Sequence, residues 1–221
     1  MTKTMHERVE RLPWDDLRHQ LDKRGFAVSA PVLGAAECAE LADLFDDGRY
    51  RYFDHPLPDT IADLRSAFYA RLAPIANDWS GLLGGPEDAF PAAHDELLER
   101  CRAAGQERPT PLILRYGEGD WNALHQDLYG DVFFPFQVLT VLSEPGADYE
   151  GGELVLLEQR PRAQSRAHVV RPPRGAFVIF PTQHRPNRGK QGHHKVGLRH
   201  GVSTITRGRR TALGIIFHDA R

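Results

Sequence analysis

PLILRYGEG, at residues 111–119, opens the stretch that decides the fold. It is followed by FPFQVLTVL (134–142), GELVLLEQ (152–159), AHVVRP (167–172), GAFVIFP (175–181) and RTALGIIF (210–217). Each is a short apolar or β-rich run closed by Gly, Pro or charged turn residues, the pattern of a strand. Many such strands in succession suggest a sandwich or jelly roll. Upstream the texture is helical. DTIADLRSAFYARLAPIANDW (59–79) places Ile61, Leu64, Phe68, Leu72 and Ile75 at 3-4-4-3 spacing, which predicts an amphipathic helix. AAECAELADLFDD (35–47) and HDELLERCRAAG (94–105) read as helices too, as does the segment holding Leu12, Leu17 and Leu21 before Gly25. GFAVSAPVL (25–33) reads as a strand among them. The expected fold is α+β, with a double-stranded β-helix (jelly-roll) core and N-terminal helices packed against it. One domain is expected over 1–221, with 1–108 as mainly helical support and 109–221 as the jelly-roll core.

Composition agrees with an ordinary globular chain. The 221 residues are 41% hydrophobic and 26% charged, enough to bury one substantial core. Two cysteines, Cys38 and Cys101, cannot build a disulfide framework and point to a reducing compartment. Charges fill the first residues, MTKTMHERVERLPWDD, where a secretory signal needs an apolar run, and no stretch approaches membrane-spanning length. A cytoplasmic location is the expectation. Net charge is −2, but residues 1–154 hold 28 acids and 14 bases, whereas residues 155–221 hold 2 acids and 14 bases. Either the basic part faces an anionic partner, or the two parts pair with each other in the fold.

The candidate chemistry lies at His125-Gln126-Asp127 and His200. With 11 histidines and 17 aspartates, chance alone yields about one His-x-Asp per chain, so the pair by itself decides nothing. Its context is more informative. Residues two apart on a strand share a face, so His125 and Asp127 can converge on one ion. A histidine from a sequence-distant strand then completes a two-His, one-carboxylate set. Such a set occupies one face of a non-haem Fe(II) and leaves positions open for co-substrate and oxygen. His200 is the preferred third ligand and His184 its rival. Arg210, ten residues beyond His200, supplies a permanent cation for the far carboxylate of an organic acid, whereas the residue ten beyond His184 is His194. By strand alternation Arg210, Ala212 and Gly214 share a face, opposite Arg209 and Thr211.

At these residues the chain resembles the 2-oxoglutarate/Fe(II) dioxygenase superfamily, most clearly its prolyl-hydroxylase-like branch. RYGEGDWNALHQD sets Tyr116 nine residues before the first ligand, across a glycine turn. YEGGELVLL matches the Gly-Gly-Glu/Asp-Leu hairpin at Gly151–Leu154, and RHGVSTITRGRR places His200 and Arg210 in the family's register. The resemblance implies Fe(II), 2-oxoglutarate and O2 as cofactor and co-substrates. It implies His125, Asp127 and His200 as metal and catalytic residues, and Arg210 with Tyr116 on the co-substrate carboxylate. Many relatives carry a second tyrosine on the strand after His-x-Asp. Here FPFQVLTVL offers Gln137 and Thr140, and Thr140 is the candidate.

The chain is also similar to a bacterial family described as oxygenases acting on damaged, alkylated DNA. Two features fit a nucleic-acid substrate: the basic segment TQHRPNRGKQGHHKVGLRH (182–200), with Arg185, Arg188 and Lys190, and GRYRYFDH (48–55), which interleaves arginine with aromatics. A solvated loop and a helix-capping hydrophobic turn are the plainer readings of the two, and residues 182–199 could form a lid. Leu114 stands where known alkylation-repair demethylases carry asparagine, and their arginine-rich C-terminal signature is missing. Three readings follow: oxidative dealkylation of nucleic-acid bases, hydroxylation of a protein or amino-acid side chain, and a non-catalytic jelly-roll binding module.

Overall fold

The computed structural model describes residues 3–160, 163–190 and 192–221. Its N-terminal part carries helices α1 (Met5–Glu10), α2 (Trp14–Arg24), α3 (Ala35–Asp43), α4 (Asp59–Leu82) and α5 (His94–Ala103). Strands β1 (Ala27–Pro31) and β2 (Tyr50–Tyr52) lie among them. Then come β3 (Leu112–Tyr116), β4 (Asn122–His125), β5 (Phe136–Val141), β6 (Tyr149–Gly151), β7 (Leu154–Gln159) and β8 (Arg166–Val170). The chain continues through β9 (Ala176–Pro181), β10 (His184–Gly189), β11 (Gly192–Val202), β12 (Ile205–Gly208) and β13 (Arg210–Ile216).

Two antiparallel sheets dominate. The larger has the order β1-β9-β5-β13-β3-β2, and the smaller runs β10-β11-β7-β8 with β4 also paired to β11. A short β12-β6 ladder joins the turns. One face of the larger sheet packs on the helices: Phe136, Val138, Ile179, Leu213 and Ile215 share a core with Ile61, Leu64, Phe68 and Leu72 of α4. The other face packs on the smaller sheet, joining Leu139, Val141, Val178 and Phe180 to Leu154, Leu156 and Leu198. With both faces covered, every residue of β5, β9 and β13 is buried, hence their largely apolar composition. The predicted α4 stripe is buried at all five positions. The N-terminal part supplies more than helical support, since β1 and β2 form both edges of the larger sheet. Among the described residues, no helix is long and apolar enough to cross a membrane.

Part of the charge asymmetry is met within the molecule. Arg171–Glu153, Arg174–Glu144, Arg207–Glu150 and Arg221–Asp131 pair the basic C-terminal part with the acidic remainder. Arg185 corrects the sequence expectation. It is 2% exposed, with Nη2 2.7 Å from Glu158, and so is not free to meet a phosphate. The basic segment is an antiparallel hairpin of β10 and β11, with His184 opposite Gly197, not a loop. Its Gln191 lies outside the described residues. Arg188 and Lys190 remain exposed near the tip.

Two buried histidines couple this packing to pH. The Nε2–H of His94 donates to the Phe217 carbonyl at 2.8 Å, and Nδ1 of His218 accepts the Phe134 N–H at 3.1 Å. Burial pushes both imidazoles down to about 4, with the Arg65 guanidinium adding to the effect. Unfolded histidine takes up its proton near pH 6.5, so between pH 6.5 and 4 the unfolded chain binds more protons and stability falls as pH drops. Each group accounts for roughly 2–4 kcal/mol across that window. Urea midpoints should therefore decline from pH 7 to 4. His218→Asn, which keeps an acceptor for Phe134 without titrating, should flatten the decline by about half. An unchanged slope would discard this assignment.

Candidate active site

The site is assembled where β4 meets β11. His125 and His200 are cross-strand partners, with ring centroids 4.2 Å apart. Gly201 allows the approach: a Cβ there would lie 2.6 Å from the Asn122 carbonyl oxygen. Asp127, two residues past His125, turns its carboxylate between the rings. Its Oδ2 is 3.1 Å from His200 Nε2, and its Oδ1 is 3.6 Å from His125 Nε2. All three ligand atoms lie within 4.8 Å of one another, an arrangement that can hold a metal ion. The spacing and donor set fit a two-imidazole, one-carboxylate centre.

Neighbouring groups orient these ligands. The His125 Nδ1–H donates to the Ala123 carbonyl at 2.7 Å, which turns the Nε2 lone pair toward Asp127. The Tyr129 hydroxyl donates to Asp127 Oδ1 at 2.6 Å, leaving Oδ2 for an ion. His200 packs on Phe180, with ring centroids 4.9 Å apart. Burial works to raise the Asp127 pKa, but hydrogen bonds from His200 and Tyr129 bring it down to about 2. Burial holds the His200 imidazole below its ordinary value, against the pull of Asp127. The set is thus one carboxylate with His200 neutral at neutral pH, as metal ligation requires.

The three ligands open on a cavity of about 250 Å³, whose wall also includes Tyr50, Tyr52, Tyr129, Gln137 and Arg210. Arg210 is 1% exposed, and its Nε and Nη1 have no hydrogen-bond partner among the described residues. Tyr116, its cross-strand neighbour, is fully buried with an unpartnered hydroxyl. Burial pulls the Arg210 pKa down while Tyr149 and Tyr116 push it up. A buried cation without a counter-ion is costly, so an anionic oxygen ligand fits here. Gly152 makes room for the Arg210 side chain: a Cβ would lie 2.9 Å from Arg210 Cδ and 2.3 Å from Ile205 Cδ1.

The structure brings together His125, Asp127, His200 and Arg210, with Tyr116 beside Arg210. It does not bring Thr140. On β5, Leu139 and Val141 face the smaller sheet while Val138 faces the helices, so Thr140 takes the helix side. Strand parity turns it away from the cavity. Gln137, on the same face as Leu139, lines the cavity instead. His184 sits on β10 outside the ligand cluster. In GRYRYFDH the arginines are engaged, Arg49 with Asp120 and Arg51 with Asp46, while Tyr50 and Tyr52 line the cavity mouth. Sequence reasoning missed Tyr129 and Tyr149. The first was legible as the residue two past Asp127, where a hydroxyl can reach back to the carboxylate. The second had no signal beyond its place before Gly151-Gly152.

Residues 48–220 match a family model described as "Oxygenase, catalysing oxidative methylation of damaged DNA". Two uncharacterized proteins of Mycobacterium tuberculosis, from strains CDC 1551 / Oshkosh and H37Rv, are each 48% identical over 184 residues, covering 79% of this chain and 78% of theirs. A Pseudomonas putida prolyl-4-hydroxylase superposes with a TM-score of 0.53 at 19% identity, covering 94% of this chain and 99% of its own. An oxidoreductase of the 2OG-Fe(II) oxygenase family from Burkholderia pseudomallei gives 0.54 at 19% identity, covering 94% and 91%. The chain therefore belongs to the oxygenase family described for damaged DNA, and it is built on the fold shared by 2-oxoglutarate/Fe(II) oxygenases.

Proposed function

We propose that this protein is an Fe(II)/2-oxoglutarate-dependent dioxygenase that hydroxylates N-alkyl groups on damaged DNA bases. One observation carries the co-substrate half of this reading: the His125/Asp127/His200 cluster and the Arg210 guanidinium, with Nε and Nη1 unsatisfied among the described residues, open on one cavity. His125, Asp127 and His200 would hold the iron. Arg210, with Tyr116, would pair with the far carboxylate of 2-oxoglutarate. Iron with 2-oxoglutarate and dioxygen supplies the oxidising power for C–H hydroxylation, with succinate and CO2 as by-products. The chain's own residues position the reactants and exclude side reactions. The two sheets are read as the walls of a jelly roll, within one domain whose helices buttress the larger sheet.

The family description supports the substrate half. Exposed Tyr50 and Tyr52 at the cavity mouth also support it, because base stacking needs such surfaces. The exposed Arg188 and Lys190 of the β10–β11 hairpin would meet the backbone electrostatically. The test is succinate release with Fe(II) and 2-oxoglutarate across N-methylated single-stranded oligonucleotides, peptides and free amino acids. Oligonucleotide-stimulated succinate with formaldehyde release is expected, since a hydroxylated N-methyl group loses formaldehyde. Oxygen gain on a peptide pool would move the substrate to protein side chains. No succinate from metal-replete protein would leave a non-catalytic binding module.

A further inference from the structure

The cavity has a second end that the co-substrate does not explain. Gln137 is 5% exposed and lines the cavity, yet its Nε2 has no hydrogen-bond partner among the described residues. A buried amide left unpaired is costly, so such a group marks a place where a ligand supplies what the protein does not. Gln137 cannot share the carboxylate assigned to Arg210. On β13, Gln137 lies opposite Ile216, whereas Arg210 is six residues earlier on that strand, opposite Tyr116 of β3. Six residues span about 20 Å of strand, more than both side chains can bridge onto one carboxylate.

The surroundings of Gln137 indicate what fills this end. Leu112 and Gly214 pair across β3 and β13, and with Ile216 they form an apolar floor facing the cavity. Tyr52 lies opposite Leu112, is 51% exposed and lines the same cavity. An apolar wall with exposed aromatic rings and one buried amide suits a planar heteroaromatic ring. A glutamine amide offers a donor and an acceptor side by side, the complement of a nucleobase edge.

We infer that Gln137 reads the hydrogen-bonding edge of a base that is stacked on Tyr52 and extruded into the cavity, opposite the Arg210 end. The inference rests on the proposed oxygenase reading of this cavity and assigns its substrate-recognition residue. Enzymes that act on a base commonly take it out of the stack and hold it by edge contacts and aromatic stacking.

The experiment measures binding by calorimetry to the anaerobic Fe(II) protein. Probes are trinucleotides with a central N-methylated base and, separately, the non-reactive co-substrate analogue N-oxalylglycine. In Gln137→Leu, trinucleotide affinity should fall about 10–100-fold, the loss seen when one buried polar contact is removed. N-oxalylglycine affinity should stay unchanged. The thermal midpoint should hold or rise, because the variant removes an unpartnered buried amide. Tyr52→Ala should weaken all trinucleotides about tenfold whatever the base, because every base has a face to stack. Unchanged trinucleotide binding in Gln137→Leu overturns the inference, as does a parallel loss of N-oxalylglycine. If the wild type binds no trinucleotide yet releases succinate, this inference alone falls. If it does neither, the oxygenase reading falls with it.

Discussion

Replacing His200 with alanine should remove bound iron and with it at least about a thousandfold of succinate formation, because the metal carries the difficult chemistry. The geometry makes the loss specific. His200 Nε2 is one of three ligand atoms within 4.8 Å, and its cross-strand partner His125 is another. Without His200, two candidate ligands remain, two residues apart on one segment. His184→Ala is the control, because His184 lies on β10 outside the cluster. Iron stoichiometry and succinate yield, measured on folded protein judged by circular dichroism, check this expectation. If His184→Ala lost iron while His200→Ala kept it, the ligand assignment would be wrong.

Arg210→Leu should raise the KM for 2-oxoglutarate by about 100–1,000-fold, the cost of removing one partner from a buried, hydrogen-bonded charge pair. Two further effects separate ligand recognition from general damage. The Arg210 guanidinium is 1% exposed and lacks partners at Nε and Nη1, so its removal should stabilise the ligand-free protein by about 1–3 kcal/mol. 2-Oxoglutarate should raise the thermal midpoint of the wild type and not of the variant, because a ligand stabilises only the state that binds it. Arg210→Lys should not restore the KM, since an ammonium cannot reproduce the planar two-pronged contact. Differential scanning fluorimetry with and without co-substrate reads these outcomes. Equal ligand-induced shifts in wild type and Arg210→Leu would place the carboxylate elsewhere.

The main strands were legible because burial on both faces demands continuous apolar residues. GAFVIFP is such a run and FPFQVLTVL nearly one, with a single polar residue on each face, and both contribute strands to the larger sheet. The same property concealed which side of β5 faces the cavity. A run that is apolar on both faces carries no alternation to set its parity, so Thr140 was favoured where Gln137 lines the site. The β10 strand, HRPNRG, was illegible for the opposite reason. It is a polar, proline-bearing edge whose pairing with β11 depends on backbone register more than on side-chain pattern. Charge counting also failed at Arg185, since a tally of basic residues cannot reveal an ion pair buried against Glu158.

By itself the order of residues indicated most of the helices and buried strands, a candidate donor set of two imidazoles and one carboxylate, and the cation that follows it. These depend on local periodicity and on the donor chemistry of particular side chains. Folding alone decided that His200, and not His184, stands across from His125, because that choice is a matter of strand register. It also decided that Arg185 is neutralised while Arg210 is left without a counter-ion, and that an unpartnered amide closes the far end of the cavity. Contacts between residues distant in the chain set those outcomes, and no local pattern encodes them.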